Sequence, residues 1–382
     1  MSSSSIYSKI GVLGGGQLGK MMAQAAADWN LDLSILDPSP SAPASVCADQ
    51  TLGDFRRYED VLAFGLKQDL ITIEIEDVSL EALKKLEQMG KKVYPSASSI
   101  ELIQDKGLQK LFYQSHGLAT ADFLLAESKA EIIQWLEIKK ISFPFVQKLR
   151  KAGYDGRGVQ IIQHADDLKN IFDGPSVVES KVDLAKEIAV LAGRNWSGEV
   201  VTYDPVEMIF HPTANLLLYQ ECPSTLTPDQ ITHATQIAQT LIEKMDIVGL
   251  LAVEMFLDQE GKILINEVAP RPHNSGHHTI EACVTSQFQQ HLRCVLDLPL
   301  GKTHTLSPSI LLNILGEPGF TGIAVYQGIE KCLAIPGVHI HLYGKKETKP
   351  MRKMGHVTIT GKDLDHIKQI AQTISQTLKV IA

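Results

Sequence analysis

LLAVEMFLDQEGKILINEVAPRPHNSGHH, residues 250–278, is the stretch that decides the fold. Two apolar, β-rich runs flank the polar turn Asp258-Gln259-Glu260-Gly261, which is the pattern of a β-hairpin. If Asp258 and Gly261 close a two-residue loop, Glu254 faces Ile265, and Glu267 becomes its diagonal neighbour on the same face, roughly 7–8 Å away between backbones. Two carboxylates so placed can hold Mg2+, a cation that takes oxygen ligands and often only one or two carboxylates. The alternative is a pair of surface glutamates. Acids embedded in runs such as Leu250–Val253 and Ile263–Ile265 need a partner, however, which favours the metal. Asn266 points to the opposite face of an ideal strand and joins the pair only at a bulge or strand end. In Arg271–His278, Pro272 and Ser275-Gly276 prevent the regular helix that an i, i+4 histidine zinc pair needs. The loop reads instead as an anion-handling segment with Arg271 as its fixed charge.

Upstream, Phe145–Leu149 and Val159–Gln163 read as strands bridged by a cationic, glycine-rich loop, Arg150–Gly158. Such a loop can fold over a triphosphate, with backbone amides and Arg157 facing it; an exposed, solubilising hairpin is the plainer reading. At the other end, Ile6–Leu13 is a short strand. Gly14-x-Gly16-x-x-Gly19 follows it, then a helical spacing of Leu18, Met21, Met22, Ala25 and Trp29. Asp37 lies 18 residues beyond Gly19, so the pattern matches a dinucleotide fingerprint. It matches a tight strand-to-helix turn with no dinucleotide equally well, and both readings stand at this point. No P-loop is present, since Gly301-Lys302-Thr303 lacks the earlier glycine. The alternation continues with strands at Leu31–Leu36 and Leu70–Ile75, a helix from Leu80 and a helix over Ile100–Ser115. Beyond Gly301 the pattern changes to strands at Ser309–Leu315, Val338–Tyr343 and His356–Thr360, and a closing helix over Leu364–Val380. Lys345, Lys346, Lys349, Arg352 and Lys353 crowd one stretch there, as a solvated loop or a phosphate clamp.

The 382 residues suggest two to three domains, and 44% hydrophobic with 21% charged residues suits a globular protein. The net charge of −8 disfavours nucleic acid and anionic membrane as partners, so any phosphate must be met by local basic groups or amides. No run approaches a membrane span, and MSSSSIYSK has no signal-peptide core. Five scattered cysteines without a CxxC argue against disulfides and a cysteine zinc site. The expected location is the cytoplasm.

Taken in order, these motifs resemble the ATP-grasp superfamily, and within it the 5-(carboxyamino)imidazole ribonucleotide synthase family, over essentially the whole chain. The residues carrying the likeness are Gly14–Gly19, Glu74-Ile75-Glu76, Gly153–Gly158, Asn266–His277 and Lys349–His356. The loop Arg271–His277 together with Gly153–Gly158 is its most specific part. The chain departs from the family pattern at Asp77 and His278.

The resemblance implies an α/β (α+β overall) fold in three parts. These are a Rossmann-like pre-ATP-grasp domain (1–100), an ATP-grasp domain (101–300, lid about 120–185) and a small β-rich C-terminal domain (301–382). It implies that Lys106 and Lys148 contact ATP phosphates under the loop Gly153, Tyr154, Asp155, Gly156, Arg157, Gly158 and Val159. Glu179, Ser180, Lys181 and Val182 would read adenine, with Glu187 on the ribose and His211 nearby. Glu254 and Glu267 would hold Mg2+, with Asn266 beside them. Gln17, Leu18, Glu76, Tyr154, Asp155, Arg352 and Lys353 would hold the aminoimidazole ribonucleotide. Arg271, His273 and Asn274 would hold the bicarbonate-derived group. The glycine turn then serves the ribonucleotide rather than NAD. Asp155, Arg271, His273 and Lys353 are the expected catalytic residues, and a homodimer is the expected assembly. A related ATP-grasp ligase (a formate-using transformylase or biotin carboxylase), an NAD-dependent dehydrogenase and a non-catalytic binding protein are the rivals.

Overall fold

The computed structural model describes residues 8–151, 158–210 and 217–382. Short apolar runs separated by helices give a five-stranded parallel sheet: β1 (Ile10–Leu13), β2 (Leu33–Asp37), β3 (Asp49–Leu52), β4 (Leu70–Ile73) and β5 (Lys92–Val93), in the order β3-β2-β1-β4-β5. β1 and β4 are buried on both faces, as a parallel sheet covered by helices requires. Helix α1 (Gln17–Ala27) covers one face. Helices α2 (Tyr58–Gly65) and α3 (Leu80–Gln88) cover the other, so two separate apolar cores form.

The single helix expected over Ile100–Ser115 is two helices, α4 (Ala97–Ile103) and α5 (Lys106–Ser115). Asp105 makes the break. Its carboxylate accepts the amides of Gly107 and Leu108, which starts a new helix instead of extending the old one. A four-stranded antiparallel sheet follows: β6 (Phe123–Ala126), β7 (Phe145–Leu149), β8 (Val159–Ile162) and β9 (Ser176–Ser180), in the order β6-β9-β7-β8. Helix α6 (Lys129–Glu137) closes its small core with Ile132 and Trp135.

The largest element is a nine-stranded antiparallel sheet. It takes in β10 (Leu184–Arg194), β11 (Val200–Thr202), β12 (Val206–Phe210), β13 (Leu217–Cys222), β14 (Gly249–Asp258), β15 (Ile263–Ala269) and β16 (Ser309–Leu315), followed by Lys353–Thr360 and Val338–Leu342. Helix α7 (Pro228–Lys244) packs its apolar face, Ala234, Ile237, Ala238, Leu241 and Ile242, against the β10–β14 side. Because β13 pairs with β16, the C-terminal strands continue this sheet. The closing helix ends at Thr377, earlier than the Val380 expected from its pattern, and Lys379–Ile381 forms a strand on Val325–Gln327. Among the described residues no helix is long and apolar enough to cross a membrane.

Buried histidines lock the units together. His291 Nε2 lies 2.9 Å from Thr72 Oγ1 of β4, and its Nδ1 accepts the Leu250 amide of β14 at 3.3 Å, so Nε2 carries the proton. His277 stacks on His356 of the C-terminal strand, which stacks in turn on His341. Burial depresses His278 to about 4 and His291 to about 3. The unfolded chain takes up protons near pH 6.5 that these folded imidazoles refuse, so stability is full above pH 6.5 and falls as pH drops below it. Between pH 7 and 5 each should cost on the order of 2 kcal/mol. Urea titrations at the two pH values should give a change from pH 7 to 5 that is about 2 kcal/mol more favourable in His291→Leu than in wild type; an unchanged pH dependence in the variant would refute the assignment.

Candidate active site

The hairpin of β14 and β15 holds one more loop residue than its sequence suggests. Asp258 bonds Lys262, so its loop is Gln259-Glu260-Gly261, three residues, with Gly261 at φ +86°. That moves the register by one and pairs Met255 with Ile265. The register then shifts again, and Glu254 pairs directly with Glu267, leaving Asn266 as the extra residue of a β-bulge. The two carboxylates are therefore directly opposed rather than diagonal, and the bulge supplies the irregularity that Asn266 needed to join them.

Lysines converge on this pair from other elements. Lys106, in the first turn of α5, places Nζ 2.6 Å from Glu267 Oε2. Lys148 of β7 donates to Asn266 Oδ1 at 2.8 Å and pairs with Glu179 Oε2 of β9 at 2.9 Å. Lys110, one turn along α5, pairs with Glu179 Oε1 at 2.8 Å. Lys106 above all holds the Glu267 carboxyl low, whereas burial and the Glu267 charge push Glu254 up. Glu187, on the same face of the sheet two residues from the partner of Glu254, is raised by burial to about 7. An added cation would reverse that penalty for Glu254.

The front of α5 is fixed by Asp105, which takes a two-pronged bond from Arg150 (2.9 and 2.8 Å). Arg271 Nε meets Glu76 Oε1 at 2.9 Å and so joins the first domain to the loop after β15. His273 Nε2 stands 3.6 Å from Glu254 Oε1, and its Nδ1 is 2.9 Å from Ser275 Oγ. Asn274 begins the 3-10 turn beside it. Lys353 opens the C-terminal strand, close enough for its charge to act on Glu254 and His277. Arg352 is held by the Glu347 carbonyl at 2.8 Å.

Gln17 and Leu18 are the first two residues of α1. The Gly16 and Gly19 amides donate to the two oxygens of Glu74, and the Gly15 amide donates to Asp37 Oδ2 at 2.8 Å. The amides that a dinucleotide would use are thus answered by the chain's own carboxylates. Gly158 and Val159 lead into β8, where Val159 opposes Lys148. Ser180 ends β9, and Lys181 and Val182 belong to its link to β10. Gly153, Tyr154, Asp155, Gly156, Arg157 and His211 lie outside the described residues. Of the two departures, Asp77 is solvent-exposed at 3.8 Å from Arg56, and His278 is buried beside Gln220 and Ser275. Sequence reading missed Lys110 and the Asp105–Arg150 pair, and it singled out Glu74 without assigning it a role. The i, i+4 spacing of Lys106 and Lys110 was the available signal for the first.

Three family profiles match the chain: the ribonucleotide synthetase preATP-grasp domain over residues 7–104, the ATP-grasp domain over 111–288, and the phosphoribosylaminoimidazole carboxylase C-terminal domain over 309–370. The N5-carboxyaminoimidazole ribonucleotide synthase of Bacillus subtilis is 35% identical over 366 residues, covering 94% of this chain and 93% of that protein. Phosphoribosylaminoimidazole carboxylases of Vigna aconitifolia and yeast are 36% and 38% identical, and the chain spans 65% of their length. The N5-carboxyaminoimidazole ribonucleotide synthetase of Thermotoga maritima has a similar structure, with TM-score 0.90, 39% identity and coverage of 98% and 99% of the two chains. The Aspergillus clavatus synthase, solved with ADP and 5-aminoimidazole ribonucleotide, aligns with TM-score 0.87, 31% identity and coverage of 97% and 98%.

A Cβ on Gly16 would fall 2.5 Å from Glu74 Oε1 and force the carboxylate out of the turn. Gly16→Ala should lower stability by roughly 1–3 kcal/mol, the cost of unpairing a buried carboxylate. Denaturant titration checks this, and a loss below about 0.5 kcal/mol would contradict it.

Proposed function

The chain belongs to the N5-carboxyaminoimidazole ribonucleotide synthase family, and we propose that it catalyses the ATP- and bicarbonate-dependent carboxylation of the amino group of 5-aminoimidazole ribonucleotide. The observation that carries this reading is the Glu254–Glu267 pair set directly opposite by the bulge at Asn266, with Lys106 and Lys148 beside it and His273 at one edge. That is a site for a polyphosphate and its cation next to a loop able to hold a small anion.

Mg2+ fits the donor set. Two opposed carboxylates and an amide oxygen are hard oxygen ligands, and the elevated Glu254 ionises readily once a cation is near. When bound, Mg2+ neutralises charge on the β- and γ-phosphates. Lys106 and Lys148, which already touch Glu267 and Asn266, would contact the phosphates, and the segment Gly153–Val159 would donate to them. The linker Ser180, Lys181 and Val182 reads the base, with Glu187 on the ribose and His211 nearby; Glu179, expected to read adenine with them, has its carboxylate buried between Lys110 and Lys148 and acts through Lys148 instead. Arg271, His273 and Asn274 hold bicarbonate while one of its oxygens bonds to the γ-phosphorus and the bond to ADP breaks. The resulting carboxyphosphate gives its carboxyl carbon, directly or as CO2, to the amine, and phosphate leaves. Asp155 takes the amine proton or orients the amine. Gln17, Leu18, Glu76, Tyr154, Arg352 and Lys353 hold the ribonucleotide, with Lys353 near the reacting groups. Carboxyphosphate hydrolyses readily, so a loop closing over the site protects it from water. The chain would divide into domains at 1–100, 101–300 (lid about 120–185) and 301–382, and pair as a homodimer. The dehydrogenase alternative leaves the carboxylate pair unused and must compete with Glu74 for the glycine turn.

ADP release in ATP, Mg2+ and bicarbonate should depend strongly on added aminoimidazole ribonucleotide and yield the acid-labile carbamate. Release indifferent to the ribonucleotide would retain the phosphate site and reject this acceptor. Glu254→Gln and Glu267→Gln should each lower kcat by on the order of 100-fold or more, and normal turnover in either would reject the cation site. Asp155→Asn with near-normal kcat would remove Asp155 from the chemistry.

A further inference from the structure

Lys110 is among the most completely enclosed charges in the described structure, and none of the expected ATP contacts includes it. Both it and Glu179 have side chains only 3% exposed, at 2.8 Å separation. Its Nζ also donates to Thr120 Oγ1, whose hydroxyl donates to the Ile265 carbonyl at 2.7 Å, immediately before the bulge at Asn266. The other Glu179 oxygen holds Lys148, and Lys148 holds Asn266. One buried carboxylate is thus shared between two ammonium groups, of which only Lys148 also reaches the bulge residue. Lys106, Gln109, Lys110, Lys148, Asn266 and Glu267 line one small cavity.

The charges explain why sharing matters. In direct ion pairs Lys106, Lys110 and Lys148 share two carboxylates, Glu179 and Glu267, so the ammonium groups outnumber their paired acids by one. Without Lys110 that surplus vanishes, and Glu179, too buried to stay ionised alone, would claim Lys148 as its single partner. Burial lowers the Lys110 ammonium to about 8, the cost of placing it there.

We propose that Lys110 is a positioning residue for phosphoryl transfer, sharing the Glu179 carboxylate so that Lys148 keeps its charge and place for the nucleotide phosphates. This rests on the ATP-dependent reading above. The test compares wild type, Lys110→Met, Glu179→Gln and the double variant by ADP-release kinetics, thermal unfolding and calorimetric ADP binding. Lys110→Met should lower kcat at least 20-fold and raise KM for ATP several-fold, with KM for the ribonucleotide unchanged within twofold. The double variant, which removes the stranded carboxylate, should regain at least fivefold in kcat/KM for ATP over Lys110→Met. If Lys110→Met fails to fold, the double variant should fold and turn over no more slowly than Glu179→Gln by over fivefold. A folded Lys110→Met with kcat within twofold of wild type overturns the proposal, as does a double variant no better than Lys110→Met. If wild type shows no ribonucleotide-dependent release, the functional reading fails by itself. Lys110 is then judged by ADP binding, expected to weaken about tenfold in Lys110→Met and overturned by unchanged affinity.

Discussion

One extra residue in β15 governs the site. Asn266 sits where β14 and β15 change register, and the change sets Glu254 opposite Glu267. In an unbulged ladder with the preceding register, Glu254 would face Asn266, and Glu267 would fall on the other face of the sheet. The bulge therefore places the carboxylate pair and hands the Asn266 amide to Lys148 in one stroke. Thr120 pins the strand next to it through the Ile265 carbonyl. The irregularity is thereby held on both sides by partners from outside the hairpin.

Around that bulge an acidic chain builds a local cationic site. The net charge of −8 offers no general attraction for a polyphosphate, so the lysines have to be gathered and kept charged. Helix α5 does the gathering: Asp105 starts it, Arg150 clamps Asp105, and Lys106 and Lys110 project from one face. Buried carboxylates keep the charges. Glu179 and Glu267 lower the cost of the lysines' desolvation and are held ionised by them in return. For Glu254 and Glu187 burial outweighs the nearby lysines and pushes both up, which leaves them responsive to a cation.

Much of this could be read from residue order, and the failures share a cause. The parallel sheet, the hairpin and the strands flanking Gly153–Gly158 follow from local periodicity and turn chemistry, and appear at or near the expected residues. The loop length at Gln259–Gly261 and the bulge do not, because a register is chosen by both strands together with what packs on them. The helix break at Asp105 was a competition between continuation and a side-chain cap, which apolar spacing cannot see. The last strand, Lys379–Ile381, exists because Val325–Gln327 and the segment at Gly316-Glu317 lie alongside it. Lys110 differs in kind. Its spacing from Lys106 was visible, but its partner Glu179 lies 69 residues away on strand β9.

The glycine turn shows how a motif can be correct in shape and misleading in chemistry. Gly14–Gly19 forms the strand-to-helix turn that its pattern specifies, with Asp37 close by. In a dinucleotide site, the free amides at the helix start would face a pyrophosphate. Here Glu74 brings its own negative charge to the Gly16 and Gly19 amides, so the helix terminus is satisfied from within. Two residues on, Glu76 leaves the same strand end to meet Arg271 of the distant loop. The segment Glu74-Ile75-Glu76 thus closes the first domain's glycine turn with one carboxylate and ties that domain to the loop after β15 with the next. A fingerprint written in glycines says where an anion can sit; the acidic residues that answer those glycines decide whether the anion comes from a ligand or from the chain.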